Sequence, residues 1–462
     1  MSPDELIIDA SLIRQFDRAG PRYTSYPTAD RFVEAFDGEA YRRALEERHI
    51  GSLARPLSLY VHLPFCSSIC YYCACNKIIT KDHGRSAKYL RFLEREMVLV
   101  QEALGARTRI EQLHWGGGTP TFLNPQELRD LMRAIREHFV LDQRAECSIE
   151  VDPRSADTET IRLLAEIGFN RISVGVQDFN GEVQRAVNRI QSYEQTAAVV
   201  DAARAAGFKS VNVDLIYGLP RQDPRSFHET INSVLTLDPD RVALYNYAHL
   251  PAVFKPQRRI NEAEMPAAET RLELMLLAIR SLTLGGFRYI GMDHFAKPDD
   301  DLAVAQRLGT LHRNFQGYTT RPECDLVGLG ISAIGAVGPA YAQNVKTLDE
   351  YYDQLEQRKL PVMRGIELTK DDLVRRAVIQ AMMCSFEVSI EAIEIGYLID
   401  FERYFAAEMQ ELHEYAGNGL VELDDKWITV TPRGRLLVRA ICMVFDYHLR
   451  TAQARARYSK VI

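Results

Sequence analysis

From about residue 55 to about residue 295 the chain alternates short β-rich runs with helical stretches, and this rhythm restricts the fold more than any other feature. The strand-like runs are Leu57–Leu63, Ile110–Trp115, Cys147–Val151, Arg171–Val176, Ser210–Tyr217 and Arg241–Tyr247. Each is rich in branched or aromatic residues and stops at glycine, proline or a polar turn. Helical patterns lie between them, such as Ser86–Leu104, Pro125–Phe139, Tyr193–Ala206 and Ala263–Leu284, with Gly207 and Gly285–Gly286 as stop signals for the last two. Six β–α repeats predict an α/β fold around a parallel sheet, either curled into a full or partial barrel or left open and doubly wound. In both architectures ligands gather at the C-terminal ends of the strands.

Beyond about residue 365 the rhythm changes. Thr369–Cys384, Ser389–Gly396 and Phe401–Tyr415 read as helices, followed by a hairpin of Leu420–Leu423 and Trp427–Val430 across the polar Asp424-Asp425 turn. This order predicts a small, mainly helical, winged-helix-like C-terminal domain. With 462 residues a large domain plus a smaller one is expected. The division predicted is an N-terminal arm (1–54), a barrel (55–300), a connecting segment that completes the active site (301–364) and the C-terminal domain (365–462). A net charge of −7 argues against nucleic acid held by bulk electrostatics, so an anionic substrate must meet a local cluster of Arg or Lys. No run is long and apolar enough for a membrane span, and Met1–Asp17 lacks the apolar core of a secretory leader.

Four of the eight cysteines fall in Cys66-Ser-Ser-Ile-Cys70-Tyr-Tyr-Cys73-Ala-Cys75, directly after the first strand and Pro64. The other four are scattered, which fits a reduced cytoplasm and a metal or cluster site instead of a disulfide framework. Thiolates on one tight loop can wrap an iron–sulfur cluster. Three ligands with one bystander, leaving one iron open, is one reading of the spacing. Structural zinc on four thiolates is the other, although zinc ligands usually come as two separated pairs.

The residues around the loop add a resemblance. Cys-x3-Cys-x2-Cys resembles the motif of the radical S-adenosylmethionine superfamily. The string from Cys66 to Lys77 is similar to that of the oxygen-independent coproporphyrinogen III oxidase family. Further matching strings are Gly20-Pro-Arg-Tyr-Thr-Ser-Tyr-Pro-Thr28, His114-Trp-Gly-Gly-Gly-Thr-Pro-Thr121 and Arg313-Asn-Phe-Gln-Gly-Tyr-Thr-Thr320, so the likeness spans nearly the whole chain. It implies a partial (β/α)6-type radical SAM barrel and a four-iron four-sulfur cluster on Cys66, Cys70 and Cys73. Related haem-binding chaperones, the alternative function, typically have Phe where Cys75 stands and lack the Gly20–Thr28 and Arg313–Thr320 strings.

Several other residues carry chemistry of their own. The Gly116-Gly117-Gly118-Thr119-Pro120 turn lets backbone approach a ligand closely and is not a P-loop, since no Gly-Lys-Ser/Thr follows. Glu150, at a strand end, can accept from a ribose diol, or else pair with Arg154. Gln177 and Asp214 occupy equivalent strand ends, and Arg189 can clamp a carboxylate or lie solvated at the surface. The resemblance makes these ligand contacts for S-adenosylmethionine: Gly117, Gly118, Thr119, Glu150, Gln177, Arg189 and Asp214. It adds Tyr60, Tyr72, Ala248 and Ile334, the last two on the family match alone. Gly328-Leu-Gly330-Ile-Ser-Ala333 mimics a dinucleotide fingerprint, but Gly335, Gly338 and Pro339 would interrupt the helix such a fingerprint must open.

What the resemblance implies for function is a cytoplasmic, monomeric radical enzyme. Reduction by a flavodoxin- or ferredoxin-type donor would yield a 5′-deoxyadenosyl radical from S-adenosylmethionine, of which a second molecule would bind beside the first. Oxidative decarboxylation of two propionates would turn coproporphyrinogen III into protoporphyrinogen IX, with no acid or base assigned on the protein. Arg22 and Arg313, each near Tyr or Phe, are the candidates for the substrate's carboxylates.

Overall fold

The six runs expected to be strands are strands in the computed structural model, which describes residues 6–48 and 55–451. They are β1 (Leu57–Leu63), β2 (Arg109–Gly117), β3 (Val140–Val151), β4 (Arg171–Gln177), β5 (Ser210–Tyr217) and β6 (Arg241–Asn246). Each pairs in parallel with the next in chain order, with Tyr60 opposite His114, Glu150 opposite Ser173 and Gly175 opposite Asp214. Across these six strands the order never reverses, so no switch point lies among them and they wind in one direction as a partial barrel.

Strand alternation sends successive side chains to opposite faces. Leu59, Val61, Leu113, Trp115, Ile149, Ile172 and Val174 are buried in one core cluster that also includes residues of the helices. The intervening positions, among them Tyr60, His114, Glu150, Ser173 and Asp214, line the other face, and nearly all are polar. The helices are α1 (His83–Leu104), α2 (Pro125–His138), α3 (Thr158–Ile167), α4 (Tyr193–Ala205), α5 (Pro224–Leu237) and α6 (Ala268–Leu284). Local chemistry starts them: Asn124 with Glu127, Ser192 with Gln195, and Asp223 with Ser226 each form a capping box. The helix expected from Ala263 begins at Ala268 because Pro266 biases the preceding residue away from helical backbone.

On its other side β1 pairs in parallel with β7 (Asp325–Leu329), followed by antiparallel β8 (Ile334–Val337), β9 (Ala340–Asn344) and β10 (Val362–Glu367). The Gly328–Ala333 stretch ends β7 and turns into β8 with no helix, so it is not a dinucleotide fingerprint. Gly330 has φ +94°, and its N–H donates to the buried carboxylate of Glu96 at 2.7 Å. Tyr351 and Asn344 donate to the same group at 2.5 and 2.6 Å, yet burial pushes the Glu96 carboxyl up to about 7. Protonation is thus favoured by folding: stability is full below the ordinary value of 4.5 and falls as pH rises to about 7. We expect this fall to amount to about 3 kcal/mol, and Glu96→Gln to remove it in denaturant titrations across that window.

Phe32–Gly285 and Glu323–Glu367 form the compact unit just described. A second unit comprises the described residues up to Arg31, Gly286–Pro322 and those from Leu368 onward. Here the helices Lys370–Ser385, Ile390–Tyr397 and Ala406–Gly417 precede the expected hairpin, Val421–Leu423 with Trp427–Val430. A third strand, Glu387–Ser389, joins the hairpin to complete the wing. The Gly20–Thr28 string is bound to this unit: Arg439 donates to the carbonyls of Gly20 and Pro21, and the Tyr23 hydroxyl donates to Asp446 at 2.9 Å.

Candidate functional site

Just past β1 the cysteine loop is closed at its neck. Phe65–Cys66 pairs in parallel with Ile78–Ile79, Ile78 N–H donates to the Pro64 carbonyl at 2.7 Å, and Thr80 N–H donates to that of Cys66 at 3.0 Å. Between these ends, Lys77 Nζ donates to the Cys73 carbonyl at 2.9 Å. The outer side is anchored by Tyr71 N–H on the Val187 carbonyl, 2.9 Å, and by Asn188 Nδ2 on the Ile69 carbonyl, 2.7 Å. Hydrogen bonds to the loop's backbone therefore place the sulfurs without calling on the sulfurs themselves.

The glycine turn after β2 packs directly on this loop. Gly118 N–H donates to the Leu63 carbonyl at 2.8 Å, Thr119 N–H to Phe65 at 2.9 Å, and the Thr119 hydroxyl to Cys66 Sγ at 3.4 Å. Gly117 holds φ +111°, and its N–H donates to Glu150 at 3.1 Å. A Cβ on Gly118 would lie 2.6 Å from the carbonyl carbon and oxygen of Pro64, backbone that cannot yield locally. We expect Gly118→Ala to cost about 1–3 kcal/mol and to push the Cys66 backbone away. Thermal unfolding and iron uptake would check it; a variant with unchanged melting and full iron content would refute the close approach.

These loops and the inner strand face enclose a cavity of about 330 Å³. Cys66, Cys70 and Cys73 line it, with Cys75 beside them. So do eight other residues singled out from the sequence: Tyr72, Gly117, Gly118 and Thr119, and opposite them Glu150, Gln177, Arg189 and Asp214. Tyr60, Ala248 and Ile334 are not among the lining residues. Tyr60 stands on the inner face of β1, stacked on His114 with its hydroxyl 3.1 Å from His62 Nδ1. The Ala248 carbonyl accepts from Gln257, whose amide also donates to the Tyr72 carbonyl, and Ile334 opens β8. Arg22 and Arg313 belong to the second unit. Arg22 is paired with Asp293. Arg313 is 3% exposed, lies over the Tyr318 ring at 4.7 Å, and has no hydrogen-bond partner for Nε or Nη1.

Charge in the cavity is divided. Burial alone would raise the Glu150 carboxyl, but the hydrogen bond and charge of His114 and the Gly117 N–H hold it below its ordinary value. Asp214 is pushed up to about 6, first by burial and then by the Glu150 charge. Asp152 is held low despite burial, by Arg154 at 2.6 Å and Arg189 at 3.0 Å. Arg154 thus pairs with Asp152, and the alternative ion pair between Glu150 and Arg154 does not form. Hydrogen bonding from Cys75, and then Lys77, favours the thiolate of Cys73 over the thiol. Gln177 sits at φ +68° beside a register shift in β4, a strained backbone of the kind that concentrates at functional sites.

Sulfur spacing bears on the choice between zinc and a cluster. Four ligands about 2.3 Å from one zinc ion lie roughly 4 Å apart. Among the described residues, no three of the loop cysteines bring their Sγ atoms within 4.8 Å of one another. That spacing does not match a closed four-thiolate zinc site, and the thiolates lining one cavity fit an iron–sulfur cluster.

Asp152, Arg154, Ser173, Gly175 and Tyr245 also line the cavity and were not singled out. Period-2 alternation could have found Ser173 and Gly175, which share the face of Gln177 on β4, and Tyr245 on β6.

A parallel partial barrel with three cysteines and a glycine turn at the C-terminal strand ends defines a radical SAM protein, and the radical SAM superfamily model matches residues 60–234. The HemN C-terminal domain model matches residues 368–437. The chain is 52% identical to the oxygen-independent coproporphyrinogen III oxidase of Pseudomonas aeruginosa over 99% of its own length and 100% of the relative's. It is 48% identical to the Escherichia coli enzyme of that name over the whole of both chains. The solved structure of coproporphyrinogen III oxidase from Escherichia coli, described as a radical SAM enzyme, superposes with a TM-score of 0.91, covering 96% of this chain and 100% of that one. The chain belongs to the oxygen-independent coproporphyrinogen III oxidase family.

Proposed function

We propose that this chain is an S-adenosylmethionine-dependent oxidase that converts two propionate side chains of coproporphyrinogen III to vinyl groups, giving protoporphyrinogen IX. The observation that carries the reading is the convergence of Cys66, Cys70 and Cys73 with Glu150, Arg189 and Asp214 on one cavity, in a chain matching the oxidases from end to end. When bound, a four-iron four-sulfur cluster and S-adenosylmethionine supply the one-electron cleavage and hydrogen-atom abstraction that start each decarboxylation.

The residues of this chain then bind and orient. The thiolates of Cys66, Cys70 and Cys73 would hold the cluster, beside which the amino-acid end of S-adenosylmethionine would bind. Arg189 Nε is buried without a partner, which suits it to that carboxylate. Glu150, kept ionised, accepts from the ribose, and the Gly117–Thr119 backbone packs on the ligand with Tyr72, Gln177 and Asp214 around it. Tyr60, Ala248 and Ile334 are assigned by family likeness to the wider S-adenosylmethionine region, where a second molecule binds. Arg313, a buried cation with two free N–H groups, pairs with a substrate propionate; Arg22, already paired with Asp293, is the weaker candidate. A flavodoxin- or ferredoxin-type donor supplies electrons to a cytoplasmic monomer. Among the described residues no helix is long and apolar enough to cross a membrane.

The test is anaerobic turnover of reconstituted protein with dithionite, S-adenosylmethionine and coproporphyrinogen III. Release of 5′-deoxyadenosine, carbon dioxide and protoporphyrinogen IX is expected. Release of 5′-deoxyadenosine without carbon dioxide would discard the substrate and keep the radical chemistry.

A further inference from the structure

Two guanidinium groups, bridged by one carboxylate, converge on the sulfur of Cys70. Asp152 Oδ2 accepts from Arg154 Nη2 at 2.6 Å and from Arg189 Nη1 at 3.0 Å, while Oδ1 accepts from Arg154 Nε at 3.0 Å. The Arg154 backbone N–H also donates to Oδ1 at 3.0 Å, so the side chain is gripped at both ends. From that position Arg154 Nη2 donates to Cys70 Sγ at 3.4 Å, and Arg189 Nη1 is 3.7 Å from the same atom. The Asp152 and Arg154 side chains are 11% and 20% exposed, and both line the cavity. One carboxylate offsets only one of the two cations, so the group facing Cys70 is net positive. An arginine serving only its ion pair would turn its remaining N–H groups to water; this one aims the second N–H of Nη2 at a sulfur.

We propose that Arg154 is a positioning residue that donates a hydrogen bond to the Cys70 thiolate and so raises the reduction potential of the cluster held by Cys66, Cys70 and Cys73. The inference rests on the cluster reading above. A donor and a positive charge beside a ligating sulfur stabilise the more negative, reduced state more than the oxidised one. Asp152 sets the aim of that donor, and it tempers the charge.

Arg154→Met keeps the stem and removes donor and charge. In protein with wild-type iron and sulfide content, its midpoint potential is expected to fall by about 59 mV, a tenfold drop in the ratio of reduced to oxidised cluster at fixed potential. A loaded R154M protein with an unchanged midpoint overturns the proposal. Should R154M not load, Arg154→Lys, which keeps the charge but not the planar reach to sulfur, is expected to give a smaller fall of the same sign. Failure of both variants to take up iron, with wild-type circular dichroism, also overturns it, since Arg154 would then serve assembly alone. Wild-type protein that takes up no iron is distinguishable from these results and removes the cluster reading beneath the proposal.

Discussion

Cys70→Ala is expected to abolish retention of the cluster and to reduce turnover by more than about a hundredfold, since even the outer partners of metal ligands are worth ten- to a hundredfold. Cys70 is the buried member of the three, and two arginines converge on its sulfur. Alanine removes the ligand and leaves those cations facing a gap. Cys75→Ser provides the contrast. Cys75 is exposed and reaches the site through its contact with Cys73, so the variant should keep its iron and its visible spectrum. Iron analysis of the two variants side by side decides the matter; a Cys70→Ala protein with full iron would remove the three-ligand assignment.

Arg189→Met is expected to weaken S-adenosylmethionine binding by about 3 kcal/mol, two orders of magnitude in Kd, while leaving the cluster in place. Arg189 is 6% exposed, and its Nη2 is committed to the Gly175 carbonyl at 2.6 Å and its Nη1 to Asp152 at 3.0 Å. The remaining Nε has no partner, an expensive state for a buried cation unless a carboxylate completes it. Asp152 keeps Arg154 as a partner, so the loss should appear in ligand affinity more than in folding. Anaerobic equilibrium dialysis with labelled S-adenosylmethionine measures it directly. Wild-type affinity in R189M would assign the arginine to structure alone. Lysine is not expected to restore binding, because its point charge cannot hold the Gly175 carbonyl, Asp152 and a ligand carboxylate together.

The six barrel strands were legible because branched and aromatic runs such as Ser210–Tyr217 end at clear turn residues. The strands of residues 325–344 were not. Asp325–Leu329 carries a glycine and Ala340–Asn344 has no branched residue, so their burial comes from neighbouring strands and not from local preference. Glu387–Ser389 is a strand only because the hairpin gives it a partner. At the site, strand-end chemistry found Glu150 and Gln177; Asp214 also lines the cavity, but from the middle of Ser210–Tyr217 and not from its end. Pairing choices were beyond reach: Arg154 lies two residues from Asp152 and four from Glu150, and only the fold selects the nearer acid.

The closed neck of the cysteine loop bears on how the protein lives with a variable iron supply. Its anchors, from Ile78 on Pro64 to Asn188 on Ile69, are amides and carbonyls, so none of them needs a metal. Small metal-folded domains collapse when the ion is withdrawn because their ligands are their scaffold. Here scaffold and ligands are separate. Loss of iron is therefore expected to leave the neck of the loop closed, so that a returning cluster meets thiols already in place.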